Sequence, residues 1–558
     1  MPPGEKQKEL HAHEARVLPR GAVTNAKERP QVRTIQDVPV ELLLEIFRIH
    51  ATRCKDTGSP TAWMGILLVC RYWHRVACDA AELWRVIHVG KNTDWLLLCL
   101  KRSARSLMDL HFSGLPTATV EAAVALVMPD AQRIRAIHLT GHGWLSADVC
   151  TLFAQPLRAL EELSILPAEW RSPREAKLVP WDRGYRGLHS LALSGVSIPR
   201  DPAFYCKLRT LELHERCCTI NQFTIDDLVL VLNAAASTLE ELDLSRFQPI
   251  FDRDTQSAPK PPLPNVCLSR LRGFYLYDEF PIASHLNKHL TLPRGAFLHL
   301  RVYVMHADQL RYTNGTAVLA DIVPPGVRHV LDDITDLAVS IDRDSYSIRA
   351  PSTPLNVAPS SSASDNRHQE SESDGPPIDR VRIDTLGWIP DRKPGLRAVL
   401  TVYTSGRLTS LSITLGGSEY ALAEWRTLFG AFRMLEKLAI VDHSHLDPTD
   451  AFVALSASTD SDPGSAQAVR GDDRALSGSV ENLLCPALRT LHLEGRVQGH
   501  EMEALFDALC SALRSRAGLG LRLEVLCVDC SRASGVTCAE LGVHASVLKP
   551  LVKSLVVR

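Results

Sequence analysis

After residue 90 one phrase of apolar and polar positions keeps returning: apolar-x-x-apolar-x-apolar. It reads Leu107, Leu110, Phe112; Ile134, Ile137, Leu139; Leu160, Leu163, Ile165; Leu188, Leu191, Leu193; and Leu208, Leu211, Leu213. It continues as Leu239, Leu242, Leu244; Leu271, Phe274, Leu276; Phe297, Leu300, Val302; and Ile334, Leu337, Val339. Four more copies lie nearer the end: Leu408, Leu411, Ile413; Leu435, Leu438, Ile440; Leu488, Leu491, Leu493; and Leu523, Leu526, Val528. The last two positions of each copy are separated by one residue, the period of a strand with one buried face. The residues between and beside them point the other way. They include Glu212, His214, Asp243, Ser245, Tyr275, Tyr277, His492 and Glu494. Between phrases, Thr224 to Ala236 and His500 to Arg514 carry helical stripes. A unit of this kind cannot bury its apolar face alone, so the pattern predicts units stacked into a solenoid.

The pattern before residue 91 is different. Helical periodicity begins at Val38, and Pro39 suits a first helical turn, where its missing N–H costs nothing. Leu42, Ile46 and Ile49 share one face, and Leu43 with Phe47 share the adjoining one. Asp56-Thr57-Gly58-Ser59-Pro60 breaks the helix. A second helix is predicted through Ile66, Val69, Cys70, Trp73 and Ala77, followed by Leu83-Trp84. Two helices this apolar on several faces exceed what a module of about 50 residues buries internally. Part of the surface is therefore expected to meet another chain.

The order of these pieces resembles the F-box: Val38-Pro39 with Glu41 and the Leu42-Leu43 pair, Ile46-Phe47, Val69-Cys70-Arg71-x-Trp73, then Leu83-Trp84. A helical hairpin with a Trp-rich core explains the stripe but not that order. The family usually opens Leu-Pro where this chain has Val38-Pro39, and the spacer Arg53–Ala62 is longer than in compact members. Fungal F-box families with such an insertion look most similar. The resemblance implies docking on a Skp-type adaptor and, through it, a cullin, in a ubiquitin ligase complex. It implies that Val38, Pro39, Leu42, Leu43, Ile46, Phe47, Val69, Cys70, Trp73 and Trp84 pack the module or face the adaptor. The array resembles degenerate leucine-rich repeats, with Asn missing from the ladder position and Cys217 and Cys530 close to it. The expected fold is α/β, a short all-α F-box module followed by a leucine-rich-repeat-like solenoid. The outward strand residues named above are then the target-binding face for an unknown protein. The alternative is a repeat scaffold whose F-box serves a non-degradative complex.

Composition changes this picture little. A charge of −2 over 558 residues gives no basic field for nucleic acid and no polybasic membrane patch. No apolar run is long enough to span a membrane, and the start of the chain lacks a signal-peptide core, so a cytoplasmic or nuclear protein with reduced cysteines is expected. Residues 1–33 read as a disordered tail, 34–90 as the F-box, 91–348 as solenoid, 349–379 as a disordered insertion and 380–558 as further solenoid with a flexible loop near 456–478. Both gaps are rich in Ser, Asp, Pro and Gly and are expected to loop out. Candidate chemistry is thin. Cys527-x-x-Cys530 with Cys538 and His544 has half the spacing of a zinc site, but it sits on a strand phrase where Cys is an ordinary filler. His443-Ser444-His445 beside Asp442 and Asp447 reads as a polar loop, and Asn314-Gly315-Thr316 as an unmodified acceptor. There is no phosphate loop, zincin motif or nucleophile elbow, so a non-catalytic protein without cofactor or metal is expected.

Overall fold

The computed structural model describes residues 38–558 except 57–60, 142–150, 167–184, 197, 216–222, 248–261, 307, 309–314, 343, 352–378, 389–393, 405, 417–419, 443–447, 457–483, 496–498, 530–537 and 558. The tail, residues 352–378 and 457–478 of the two low-complexity segments, Cys217, Cys530, His443-Ser444-His445 and Asn314 fall outside the described residues, whereas 349–351 and 379, expected in the first insertion, belong to strands and 456 ends a helix. The chain divides after Leu83 into two compact units.

The first unit is helical. Helix α1 spans Val40–Asp56. Pro39 stands one residue before it, and its carbonyl accepts the first helical bond from Leu43 N at 3.1 Å. The second predicted helix is not one helix. A 3-10 segment, Ala62–Leu68, is followed by α2, Arg71–Asp79. Cys70 separates them because its backbone is fully extended and its Sγ accepts from Trp73 N, so it caps α2. The break turns Leu68 and Val69 outward.

The second unit is built on one sheet. Its strands are β1 (Val86–Val89), β2 (Met108–Ser113), β3 (Ile134–Thr140), β4 (Glu162–Leu166), β5 (Ser190–Ser194), β6 (Thr210–His214) and β7 (Glu241–Ser245). β8 (Val266–Cys267) and β10 (Leu290–Thr291) form a separate short pair, and β9 (Gly273–Glu279) and β11 (Phe297–Tyr303) continue the sheet. Then come β12 (Asp336–Ile341), β13 (Ser345–Pro351), β14 (Asp379–Leu386), β15 (Ser410–Leu415), β16 (Lys437–Asp442), β17 (Thr490–Gly495), β18 (Val525–Asp529) and β19 (Ser554–Val557). The last two positions of all thirteen phrases lie on strands, and the first mostly stands just before its strand.

Neighbours follow sequence order and run parallel from β1 to β11 and again from β15 to β19. Between the two blocks the order is β11–β14–β13–β12–β15, and β13 is antiparallel to both of its neighbours. The array is therefore not a plain succession of equivalent units. β13 and β14 have no counterpart among the phrases.

Along most strands buried and half-buried residues alternate, as in β6, β7, β12 and β17. The buried face carries the leucines, and connecting helices such as Ile225–Ala235 add their own buried stripes. That helix is held by a capping box in which Asp227 N donates to Thr224 Oγ1 and Thr224 N donates to Asp227 Oδ2. Parallel sheets are ordinarily covered on both faces. Here the second face stays half-exposed and polar.

A left-handed residue recurs just past the strands. Gly114, Gly141 and Gly195 take this conformation after β2, β3 and β5, and each donates its N–H to the carbonyl of a residue in the next unit. At Gly141 a Cβ would meet Gly114 N at 2.8 Å, so only glycine fits. After β6 and β7 the same position holds Glu215 (φ 35°) and Arg246 (φ 51°), with the same bond made at 2.7 Å in both. A side chain there costs on the order of 1 kcal/mol of backbone strain.

Two buried polar groups stand out in the core. Arg516 donates from its guanidinium to the carbonyls of Leu484, Cys485 and Leu488. Tyr346, on β13, is wholly buried and its hydroxyl has no partner among the described residues. Burial drives that phenol far above its ordinary range. Tyr346→Phe removes an unsatisfied donor without changing shape, so urea denaturation should find the variant unchanged or up to about 1 kcal/mol more stable. A clear loss of stability would mean that the hydroxyl has a partner.

Candidate functional site

The surface of α1 separates two apolar rows. Leu43 and Phe47 are fully buried, and Phe47 meets the Trp73 ring edge-on with centroids 5.0 Å apart. Leu42, Ile46 and Ile49 point away from that core at helical spacing and are about half-exposed, Leu42 at 58% and Ile46 at 52%. Leu68, 88% exposed, and Val69 are exposed as well, on the neighbouring 3-10 segment and just past its end. Between α1 and that segment lies a groove of about 500 Å³, lined mainly by Ile46, Ile49, Ile66, Val69 and Trp73, with His50 and Arg53 of α1 also on its wall. The Trp73 indole N–H is buried and has no acceptor among the described residues. A polar pair, Arg48 Nη2 to Glu45 Oε1 at 2.8 Å, lies on the same helix. Contiguous apolar exposure with a polar margin is the anatomy of a protein interface, not of a solvated surface.

Residues 35–89 match the F-box-like family model. This segment is an F-box-like domain. No curated protein matches the chain. F-box domains bind Skp-type adaptors and act as non-catalytic subunits of ubiquitin ligase complexes.

Within the F-box-like domain the ten residues expected to pack or dock separate by position. Leu43 and Phe47 form the core, and Trp73 borders both core and groove. Leu42, Ile46 and Val69 are on the exposed side. Pro39 and Cys70 shape the helix starts, and Val38 is half-buried just before α1. Trp84 is buried in the second unit, where its ring tilts against Trp95 and lies under Arg102. Ile49 and Leu68 complete the exposed face. Ile49 was legible from its helical spacing, whereas Leu68 is exposed by the break at Cys70, which periodicity does not signal.

The polar sheet face brings together part of the second set. Glu212, Asp243, Tyr275 and His299 stand side by side on β6, β7, β9 and β11, and His214, Ser245, Tyr277 and Arg301 form the next row. His492 and Glu494 sit on β17, seven strands beyond β9 and so about 34 Å away along the sheet. They do not belong to that cluster. Ser245 Oγ donates to Asp243 at 2.8 Å, and His214 Nε2 lies 3.6 Å from Glu212.

Burial by itself pulls the His214 imidazole down. The bond to Glu212 and the charges of Asp243, Glu212 and Glu215 outweigh it, and the net shift is upward from 6.5. A raised folded-state value means the His214 contribution to stability is fully present below pH 6.5 and is lost as pH rises through the folded value. The melting temperature of the natural chain should therefore exceed that of His214→Gln most at pH 5 and least at pH 9. A margin that is flat or widens with pH would contradict this.

At the end of these rows lies a group in which Tyr277, read from the phrase pattern, meets Arg246, which lies beyond its strand. Arg246 Nη2 donates to Tyr277 Oη at 2.9 Å, Tyr277 and Tyr303 share a hydroxyl hydrogen bond, and the guanidiniums of Arg246 and Arg301 stand 5.0 and 5.1 Å from the centre of the Tyr277 ring. Burial raises the Tyr277 phenol, but its bonds to Tyr303 and Arg246 and the two cations prevail and hold it below its ordinary value. The signal for Arg246 was available in the sequence: it directly follows a strand, where sister turns carry glycine.

Nearer the start of the sheet, His88, His111 and His138 stack at 4.6 and 4.3 Å. A register shift between β2 and β3 leaves Arg135 unpaired in the ladder, and its guanidinium grips both carboxylate oxygens of buried Asp109 and also reaches Glu162. Among the described residues no group of three His, Cys, Asp or Glu is placed to hold a metal, and no helix is long and apolar enough to cross a membrane. His544 stacks on Phe506 at 4.4 Å.

Proposed function

We propose that this chain is a substrate-receptor subunit of a Skp–cullin–F-box ubiquitin ligase. The observation that carries the reading is the F-box-like match over a domain whose helix α1 leaves Leu42, Ile46 and Ile49 exposed beside an apolar groove. The second unit then serves as a leucine-rich-repeat-like solenoid, and its polar strand face holds a target protein. A one-face-covered parallel sheet with recurring leucines on the buried side supports that half of the reading.

The test is reconstitution with purified components. The full chain should capture a Skp-type adaptor directly and a cullin only when the adaptor is present. Folded chain that captures no adaptor would defeat the proposal. Capture of adaptor without cullin would point instead to a scaffold working in a non-degradative complex.

A further inference from the structure

Arg246 occupies the left-handed position that glycine fills after β2, β3 and β5. A residue kept in an unfavourable backbone conformation, where sister turns use glycine, signals a demand on its side chain. That side chain is committed to one place, the Tyr277 ring and hydroxyl. Arg301 comes to the same ring from β11. One strand, β9, lies between β7 and β11, so the two arginines start about 9.6 Å apart and converge over it.

Neither guanidinium has a carboxylate oxygen within 4.0 Å among the described residues. Glu215, level with Arg246, and Glu279, level with Tyr303, make no ion pair with either arginine, and two further acids nearby are engaged elsewhere. Asp243 accepts from Ser245, and Asp384, paired with Arg301 across the ladder, accepts from Ser347 and Arg382. Two positive charges, flanked by two phenols, thus stand on the open sheet face with no ion pair of their own among the described residues.

We infer that Arg246 and Arg301, with Tyr277 and Tyr303, form a recognition site for an extended acidic segment of a bound protein. The inference rests on the reading of this face as the target surface. In an extended chain the side chains at i and i+2 fall on one side about 6.6 Å apart. Two carboxylates at that spacing meet two separate guanidiniums, each by charge-assisted hydrogen bonds. The tyrosine rings offer apolar surface to the intervening chain.

The probe is a fluorescein-labelled dodecapeptide of alternating Glu and Ser, titrated with the full chain by fluorescence anisotropy. An alternating Gln–Ser peptide and a Gln–Ser peptide with one phosphoserine are run beside it. The Glu–Ser peptide should bind at least about tenfold tighter than the other two, and the preference should shrink with added salt. Arg246→Gly and Arg301→Gln should each weaken it about tenfold, and the double variant should reduce it to the Gln–Ser level. Arg246→Gly relieves the backbone strain, so its melting temperature should hold or rise, which separates lost binding from lost folding.

Equal binding of Glu–Ser and Gln–Ser, unchanged binding by the double variant, or tighter binding of the phosphoserine peptide would each overturn the inference. Adaptor capture by the same variants tells the two proposals apart. Retained capture without peptide selectivity removes this site alone, whereas natural chain that captures no adaptor removes the ligase reading.

Discussion

Replacing Ile46 by aspartate should abolish capture of a Skp-type adaptor while leaving the chain folded. Ile46 is half-exposed in the free protein and lines the groove beside α1. Its substitution adds a charge where a partner must bury apolar surface, and an unpaired charge in such a contact costs about 3–5 kcal/mol. That is roughly a 100- to 4,000-fold loss of affinity. The core residues Leu43 and Phe47 are untouched, so the melting transition should shift by no more than a surface change allows, about 0.5 kcal/mol. Phe47→Ala is the contrasting variant. Its ring is fully buried against Trp73, so it should lose about 3–5 kcal/mol of stability and lose capture by unfolding. Calorimetric titration of adaptor into each variant, paired with thermal melts, distinguishes the two. An Ile46→Asp chain that binds with unchanged Kd would remove this face from the interface.

Arg516→Leu should be the most damaging single change in the second unit outside the leucine ladder. The arginine is 1% exposed and has no carboxylate partner among the described residues. Burial pulls its guanidinium below its ordinary value, yet it stays the donor for three carbonyls in the segment that leads into β17. One of those carbonyls belongs to Cys485, itself in the left-handed region at φ 49°. Leucine fills much of the space and satisfies none of the three. With each bare acceptor costing about 1–3 kcal/mol and some relaxation, the loss is on the order of 3–6 kcal/mol. Arg516→Lys keeps a cation with three donors on a shorter stem and should fall between. Urea midpoints measure both. A leucine variant that unfolds at the natural midpoint would show that those carbonyls find other donors.

The strands of the array are readable from the sequence because their buried face holds leucine at nearly every turn and their other face is polar. β14 breaks that rule: Asp384 and Thr385 are buried beside Val381 and Ile383, satisfied by Ser347 and Tyr346 on β13. A period of two cannot be seen where polar residues are buried by pairing. β1 has only four residues, and β19 has none that is buried, so neither gives the pattern a clear contrast. In the F-box-like domain the residues are legible but their roles are not. Leu42 and Leu43 are adjacent, as are Ile46 and Phe47, and all four are apolar. Only the placement of the 3-10 segment and α2 decides which row is covered. Arg246 shows in the sequence only as a non-glycine residue just past a strand, and its pairing with Arg301 does not show at all, because it depends on two strands with β9 between them.

The position of β14 bears on how the chain is made and cut. β14 pairs with β11 on one side and β13 on the other, although residues 352–378 separate it from β13 in sequence. During synthesis β11 therefore presents an open edge until residue 386 has left the ribosome, and the β12–β13 hairpin must wait for the same strand before joining the growing sheet. Open edges are where chains pair wrongly. The Ser-rich stretch that looks like the natural place to divide this protein is consequently a poor one. A fragment ending there keeps β13 with only one of its two partners, and a fragment starting there begins with a strand whose two neighbours are both missing.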